Sequence, residues 1–502
     1  YSLSASKGFD LGNNNGALNI GADYSHNLAN PVQAYKYYQR TTFNGLYSNT
    51  FFKNRLSTTS SFNVGIGKDT RKLNPDDEEL KIKSSGEQLA FNFNSSGTLR
   101  FNEKWLQTIK YSGNIGYTHK ESYLQQQHSS ATAPYSMSYT DGAVLSNFPG
   151  TTFYDKDNNP ITNIPTGEEA LYALYLPSTY VGEYNIDGKE LTAYAKAVAS
   201  FYNSIGNTKH RWFIGADIKY DKNFGDGKTF ADSLPPYRSA SFPNASFRKR
   251  KFSDIPGLSQ LGLFAEENFS ASIGEHNINI LAGLRYDRYS KGKSALSPRV
   301  NIFVDAIPQV LTLRAGYGLL AKAPGIMYLS PENAYFEYIN INELASSSIP
   351  MEERVFMTTT HNYSTENPYL KIAKNEKKEL GFDLSIGKTQ LRVTAFDEKL
   401  KDGYAIGSTV NSFIPTQYTE YKRVKSSDPI YAISASNPVL SKFSMPNNSY
   451  RQDKKGLELE LDFPRIDAIR TQFSLYGAHI QQKRYWSDLF YNDDQSGVGG
   501  AC

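Results

Sequence analysis

Two neighbouring stretches alternate apolar and polar residues one for one. Leu191, Ala193, Ala195, Ala197, Ala199 and Phe201 are apolar, and Thr192, Tyr194, Lys196, Ser200 and Tyr202 face the other way. Across a turn at 203–208, Trp212, Ile214, Ala216, Ile218 and Tyr220 oppose Arg211, Asp217, Lys219 and Asp221. A period of two is the signature of a β-strand with two unlike faces. Strands in soluble sandwiches most often run about 5–6 residues. These run to about ten, the length that crosses a bilayer at a tilt. The simplest reading is one face in lipid and one in water.

The same unit recurs along the chain. Alternating segments fall near 1–6, 18–25, 41–50, 56–66, 90–99, 108–121, 262–270, 278–289, 295–304, 311–317, 380–386, 391–395, 457–463 and from 473 onward. Short turns follow odd strands and long, weakly patterned stretches follow even ones. The stretches at 27–39, 68–87, 125–189, 225–255, 322–375, 405–450 and 485–502 read as loops. Short turns at one end and long loops at the other describe an outer-membrane barrel, with the short turns periplasmic. The expected fold is therefore all-β: a transmembrane antiparallel meander barrel of about sixteen strands, multi-pass in the outer membrane. On this reading the first strand runs towards the periplasm, so a strand is expected before Tyr1, and an odd number of strands after Cys502.

Composition supports this. The chain has 36 Tyr and 29 Phe among 502 residues, 21% charged residues and a mean hydropathy of −0.53. Half-lipid, half-wet strands give that mixture. No run of 18 apolar residues exists, so no membrane-spanning helix is expected. A net charge of +4 gives no basis for nucleic-acid binding. The single cysteine, Cys502, excludes a disulfide framework. The runs Asp76-Asp77-Glu78-Glu79 and Arg248-Lys249-Arg250-Lys251 read as solvated loop charge.

Several motifs in the second half, taken together, resemble the TonB-dependent transporter family. They are Ser297-Pro298-Arg299-Val300-Asn301, Leu313-Arg314-Ala315-Gly316-Tyr317-Gly318, Lys322-Ala323-Pro324, Asn367-Pro368-Tyr369-Leu370, Glu379-Leu380-Gly381 and Gly456-Leu457-Glu458. Their order and spacing match over about 296–482. Ile372-Ala373 stand where the family often has Pro-Glu. The resemblance implies a barrel of about 22 strands around a plug, with the Ser-Pro-Arg strand twelfth, so that residues 1–502 form part of the barrel domain and the N-terminal plug and TonB box lie elsewhere. It implies import of a scarce, bulky nutrient (siderophore, cobalamin, oligosaccharide or peptide). The implied partners are TonB with its inner-membrane motor proteins, the plug, lipid and lipopolysaccharide, and an accessory surface lipoprotein. A passive porin-like channel, or a non-transport barrel such as an adhesin or assembly scaffold, stays open as an alternative.

No catalytic constellation is present, so no enzyme and no cofactor are expected. The seven histidines show no metal-ligand spacing. Asp155-x-Asp157-x-Asn159 has Pro160 where a calcium loop needs glycine, and reads as an Asx-rich turn. Gly225-Asp226-Gly227-Lys228 lacks P-loop spacing and reads as loop. The polar strand faces place Lys196, Arg211, Asp217, Lys219, Arg285, Asp287, Arg314, Asp383, Glu458 and Glu460 towards the lumen, where water or a polar plug must receive them. On the loop after Ala323, Tyr328, Tyr335, Phe336 and Tyr338 are candidate ligand contacts, with a small loop core or an aromatic girdle as the alternatives.

Overall fold

A computed structural model describes residues 1–12, 16–28, 35–76, 78–101, 103, 105–129, 134–168, 170–236 and 245–487. The turn residues 13–15, Asp77, Asn102, Lys104 and the tail from 488 lie outside the described residues. Sixteen long strands form one sheet: β1 (Ser2–Asp10), β2 (Ala17–Leu28), β3 (Lys36–Phe51), β4 (Leu56–Arg71), β5 (Lys83–Arg100), β6 (Leu106–Ser129), β7 (Thr179–Ile205), β8 (Thr208–Asn223), β9 (Leu258–Ile273), β10 (His276–Tyr289), β11 (Ser294–Ile307), β12 (Leu311–Lys322), β13 (Ala373–Ile386), β14 (Thr389–Gly407), β15 (Met445–Asp462) and β16 (Ser474–Trp486). Each pairs antiparallel with the next, so the wall is an uninterrupted meander. Among the described residues β1 pairs only with β2 and β16 only with β15. Two-residue turns carry glycine at φ +56° (Gly206), +60° (Gly274) and +60° (Gly387), the backbone that tight hairpins require.

Register decides the faces, because residues directly opposite in a ladder share a side. Leu3 pairs Tyr24, Ala22 pairs Phe43, Phe43 pairs Val64 and Val64 pairs Phe91. The row continues through Ile115↔Ala193, Ala195↔Ile218, Ile218↔Leu261, Leu284↔Pro298 and Ile302↔Ala315 to Val393↔Leu459. One apolar face therefore runs from β1 to β15, and on β16 the same side carries Leu475, Gly477, His479 and Gln481. Its large side chains, among them Ile214, Leu263, Leu313, Leu380 and Leu457, are exposed, as a lipid-facing surface must be. On β6 the row Ile109, Tyr111, Ile115, Tyr117 gives way to His119 and Glu121; on β7, Leu191 gives way to Lys189 and Asp187. That change marks where the wall leaves lipid.

The strands are longer than the alternation suggested, and the loops correspondingly shorter. β6 and β7 stay paired as far as Ser129↔Thr179, well into the stretch expected to be loop. β4 runs on to Arg71, β5 begins at Lys83, β3 begins at Lys36 and β16 reaches Trp486. Above lipid both faces are wet, so the alternation fades although the ladder continues. Two hairpins also stand where loops were expected: Ala334–Asn342 with Phe356–Tyr363, and Phe413–Lys425 with Asp428–Lys442.

These loops fold together. Phe356–Tyr363 pairs with Val144–Ser146, and Ala334–Asn342 pairs with Ala245–Ser246, so one sheet draws on three loops. Tyr154–Asp155 runs parallel to Ile430–Tyr431 and joins the fourth. Most of the buried apolar side chains lie here rather than in the wall. Phe153, Ile161, Ile341, Val355, Met357 and Tyr431 form one core, and Leu145, Ala173 and Phe356 another. The long loops thus make a folded cap with its own hydrophobic interior, which explains why they need not be short.

Candidate functional site

At the loop end, residues from five segments line a cleft of 1070 Å³. Its walls come from the upper ends of β6 and β7 and from the loops after β6, β8 and β12. Arg248 is the organising side chain. It is buried, and its Nη2 donates to Glu337 Oε1 at 2.5 Å, where Glu337 is fully buried too. Nε donates to the Ser138 carbonyl at 2.9 Å and Nη1 to the Phe247 carbonyl at 3.0 Å. The guanidinium lies 4.7 Å from the Tyr335 ring centre, 5.4 Å from Tyr135 and 5.9 Å from Tyr139, within range of cation–π attraction. Burial works against this cation, but Glu337 and the tyrosines hold its pKa above the ordinary arginine value.

The three rings are fixed in turn. The Tyr135 hydroxyl donates to the Phe247 carbonyl at 3.2 Å, and that of Tyr139 to the Lys249 carbonyl at 3.3 Å. Tyr139 and Tyr335 meet edge to face at 5.9 Å. Burial pushes both phenols' pKa values up, so they are neutral at physiological pH. Around them the cleft carries both charges: Lys228, Lys249, Arg250 and Lys251 against Asp226, Asp232, Asp254 and Glu332. Lys249 pairs with Asp232 at 2.5 Å, and Lys228 pairs with Glu332. The reading of Arg248-Lys249-Arg250-Lys251 as solvated loop charge is therefore corrected for Arg248, which tertiary packing buries.

Gly227-Lys228-Thr229 is also more than loop, since it forms a short strand against Asn185–Asp187. Gly227 sits at φ +72°, and a Cβ there would meet the Arg250 carbonyl oxygen at 1.9 Å. Only glycine fits that approach. Asp155 behaves as the Asx-turn reading expects: its Oδ1 accepts from the amides of Asp157 at 2.9 Å and Asn159 at 2.8 Å. Those bonds, Asn159's first, lower its pKa.

The wall's other face is polar, and all ten charges expected there share it by register. Lys196 lies opposite Asp217, Arg211 opposite Tyr202 and Lys219 opposite Tyr194. Asp217 lies opposite Gly262, which lies opposite Asp287. Arg285 bridges Asp217 at 2.6 Å and Asp287 at 2.6 Å. Further on, Arg314 pairs with Asp383 at 2.8 Å and Arg392 with Glu460 at 2.9 Å. Glu458, Glu460, Arg314 and Arg392 line one concavity of 440 Å³.

The family model described as TonB dependent receptor-like, beta-barrel matches residues 15–500. The chain belongs to the TonB-dependent receptor β-barrel family. Members of this family are outer-membrane transporters, not enzymes, and the apolar face is the lipid-facing surface of such a barrel. No curated protein matches the sequence. Among solved structures, the chain resembles the outer-membrane transporter YddB from Escherichia coli, with TM-score 0.53, 12% identity, 96% of this chain and 54% of that chain covered. It resembles the RagAB peptide transporter with TM-score 0.51, 11% identity, 98% of this chain and 51% of that chain covered. The siderophore receptor PirA from Acinetobacter baumannii gives TM-score 0.48 at 13% identity, covering 92% and 57%. The chain spans about half the length of the structures it matches.

The four aromatic candidates of this TonB-dependent receptor barrel part company. Tyr335 lines the cleft. Phe336 and Tyr338 are buried with Phe443, and the Tyr338 hydroxyl meets Ser441 Oγ at 2.7 Å. Tyr328 packs on Tyr404 at 5.1 Å. Sequence reasoning missed Arg248 with Tyr135 and Tyr139; the two tyrosines share one loop, and Arg248, more than a hundred residues further on, meets them only through the cap.

Proposed function

We propose that the protein captures a scarce, bulky nutrient in the loop-end cleft and imports it across the outer membrane by TonB-driven transport. The observation that carries this is the interlocked cap. Four long loops that share sheets and cores form a binding structure, whereas a sieving channel needs only an open lumen. The cleft volume lies just above the range of about 300–1,000 Å³ usual for small-molecule and cofactor sites, as a bulky ligand requires. Stacking rings beside charges of both signs suit a ligand with flat or apolar parts and polar groups, which a peptide or an oligosaccharide both offer. The likeness to the RagAB peptide transporter supports the peptide reading. On this proposal the ten polar-face charges line the lumen, where a plug domain docks. TonB, its inner-membrane motor proteins and a surface lipoprotein complete the machine.

Uptake of a panel of labelled siderophores, cobalamin, oligosaccharides and peptides is the test, in cells with and without TonB. One panel member is expected to bind in both strains and to enter only with TonB. Uptake undiminished without TonB, with a stable open conductance in planar bilayers, would favour the passive channel.

Tyr139→Ala and Tyr335→Ala are each expected to weaken binding of that ligand by about 1–3 kcal/mol, if its rings or edges stack as nucleic-acid bases do. Isothermal titration reads this directly. Unchanged affinity in both would remove the tyrosines from the site. Phe336 and Tyr338 support the cap instead, and pH probes them. Burial raises the Tyr338 pKa to about 12, whereas an unfolded tyrosine ionises near 10. The folded cap keeps this proton longer than the unfolded chain does. Its contribution to stability is therefore intact below pH 10 and lost as pH rises towards about 12. Hydrogen exchange of Ala334–Asn342 should accelerate over that window, and Tyr338→Phe should blunt the acceleration.

A further inference from the structure

On the outward face just above the lipid-facing row, His119 Nε2 lies 2.7 Å from Asp187 Oδ1 and 3.0 Å from Glu121 Oε1. The three ligand atoms all lie within 4.8 Å of one another. His119 and Glu121 are two apart on β6 and so share a face; Asp187 stands directly opposite Glu121 on β7. The paired strands hold all three on a rigid ladder rather than on loop tips. Asp187 is oriented from behind: its Oδ2 accepts from the Asp226 amide at 2.8 Å and from Lys189 Nζ at 3.1 Å. Supporting bonds to the second oxygen of a carboxylate are what fix the first oxygen towards an ion.

We infer that His119, Glu121 and Asp187 bind a divalent transition-metal ion of the zinc class. One imidazole and two carboxylates suit such an ion, since calcium and magnesium select oxygen alone. Three protein ligands leave a further coordination position open. Glu121 and Asp187 both line the cleft wall, so the open position is available to water or to a donor atom of a molecule held there. The competing account is a protonated His119 held between two carboxylates. That account needs no metal, and it makes the cluster a local ion-pair network with Lys189.

The test uses the full chain in detergent micelles, without a histidine tag, stripped with chelator and titrated calorimetrically with zinc chloride at neutral pH. The expected result is one zinc per chain with micromolar or tighter affinity. His119→Ala and Asp187→Asn should each weaken it by more than the roughly 10–100-fold typical of outer-shell changes. Glu121→Gln, at an exposed position, should weaken it while leaving the fold unaltered by circular dichroism. Cobalt(II) in place of zinc should give a visible absorption band that disappears in His119→Ala. Calcium chloride should give no comparable heat. Absence of saturable zinc binding by the unaltered chain would overturn the inference. So would zinc binding that survives both His119→Ala and Asp187→Asn, because another histidine would then be responsible.

Discussion

Replacing Glu337 with leucine is expected to destabilise the cap by about 3–5 kcal/mol while the wall stays folded. Arg248 would keep its bonds to the Ser138 and Phe247 carbonyls but lose the Glu337 carboxylate while remaining almost wholly buried. The penalty is the desolvation of the guanidinium, which the 2.5 Å contact to Glu337 now offsets. Removing both charges is a different experiment. Arg248→Met with Glu337→Leu should be close to the unaltered protein or more stable, since well-packed apolar groups often replace a buried pair without loss. Hydrogen exchange resolved by segment separates the outcomes. Phe356–Tyr363 and Ala334–Asn342 should exchange faster in the single variant and recover in the double, with β3 to β5 unchanged in both. A single variant as stable as the double would mean that Arg248 finds water or another partner, and that the pair does not hold the cap. Binding should still suffer in the double variant, because methionine cannot hold Tyr335 and Tyr139 by cation–π attraction.

The wall was legible because two solvents act on it. Lipid selects one side of every strand and water the other, so the row from Leu3 to Leu461 is written in the residue types themselves. Legibility ends where lipid ends. Beyond Tyr117 on β6 and below Leu191 on β7 both faces meet water, the alternation fades, and strands that continue for several more pairs look like loop. The hairpin at Phe413–Lys442 was hidden for a related reason. Its core contacts come from other loops, such as Phe153 against Tyr431, and no local pattern encodes a partner more than two hundred residues away.

The candidate site was hidden more deeply. A run such as Arg248-Lys249-Arg250-Lys251 is usually solvated, and three of its four residues do lie at the cleft surface. The fourth is buried only because Glu337 and three tyrosines from two other loops surround it. Tyr328, Tyr335, Phe336 and Tyr338 form one aromatic cluster in the sequence, yet alternation along Ala334–Asn342 sends Tyr335 and Glu337 to the Arg248 side of the strand and Phe336 and Tyr338 to the other. Period two, applied to that loop as it was to the wall, would have separated Tyr335 from Phe336. The His119, Glu121 and Asp187 cluster lies across two strands, 68 residues apart, and no spacing rule along one strand reaches it.

Two adjacent substitutions test the assignment of faces in the wall. Ala197 belongs to the apolar row and lies opposite Ala216. On β8 that row is bracketed by Trp212 below and Tyr220 above, the aromatic pattern found at the two membrane interfaces, so Ala216 and its partner lie near the middle of the bilayer. Ala197→Arg is therefore expected to cost about 2–4 kcal/mol, as is a charge at Leu313 where it lies near the midplane. Val198 is the next residue and points to the other face, where it lines a concavity with Ser57, Thr59, Ser96, Thr98 and Ser112. An arginine there meets hydroxyls and water, with Lys110 and Lys196 as the like charges lining that concavity among the described residues. Val198→Arg should cost at most about 1 kcal/mol, near the range of ordinary surface changes. Urea titrations of the protein folded in lipid vesicles give both values. Because a shift of one residue inverts every side chain in a strand, the order of the two costs carries the whole assignment. If Val198→Arg proves the more damaging, the apolar row does not face lipid, and the lumen-lining role of Lys196, Asp217 and Arg285 falls with it.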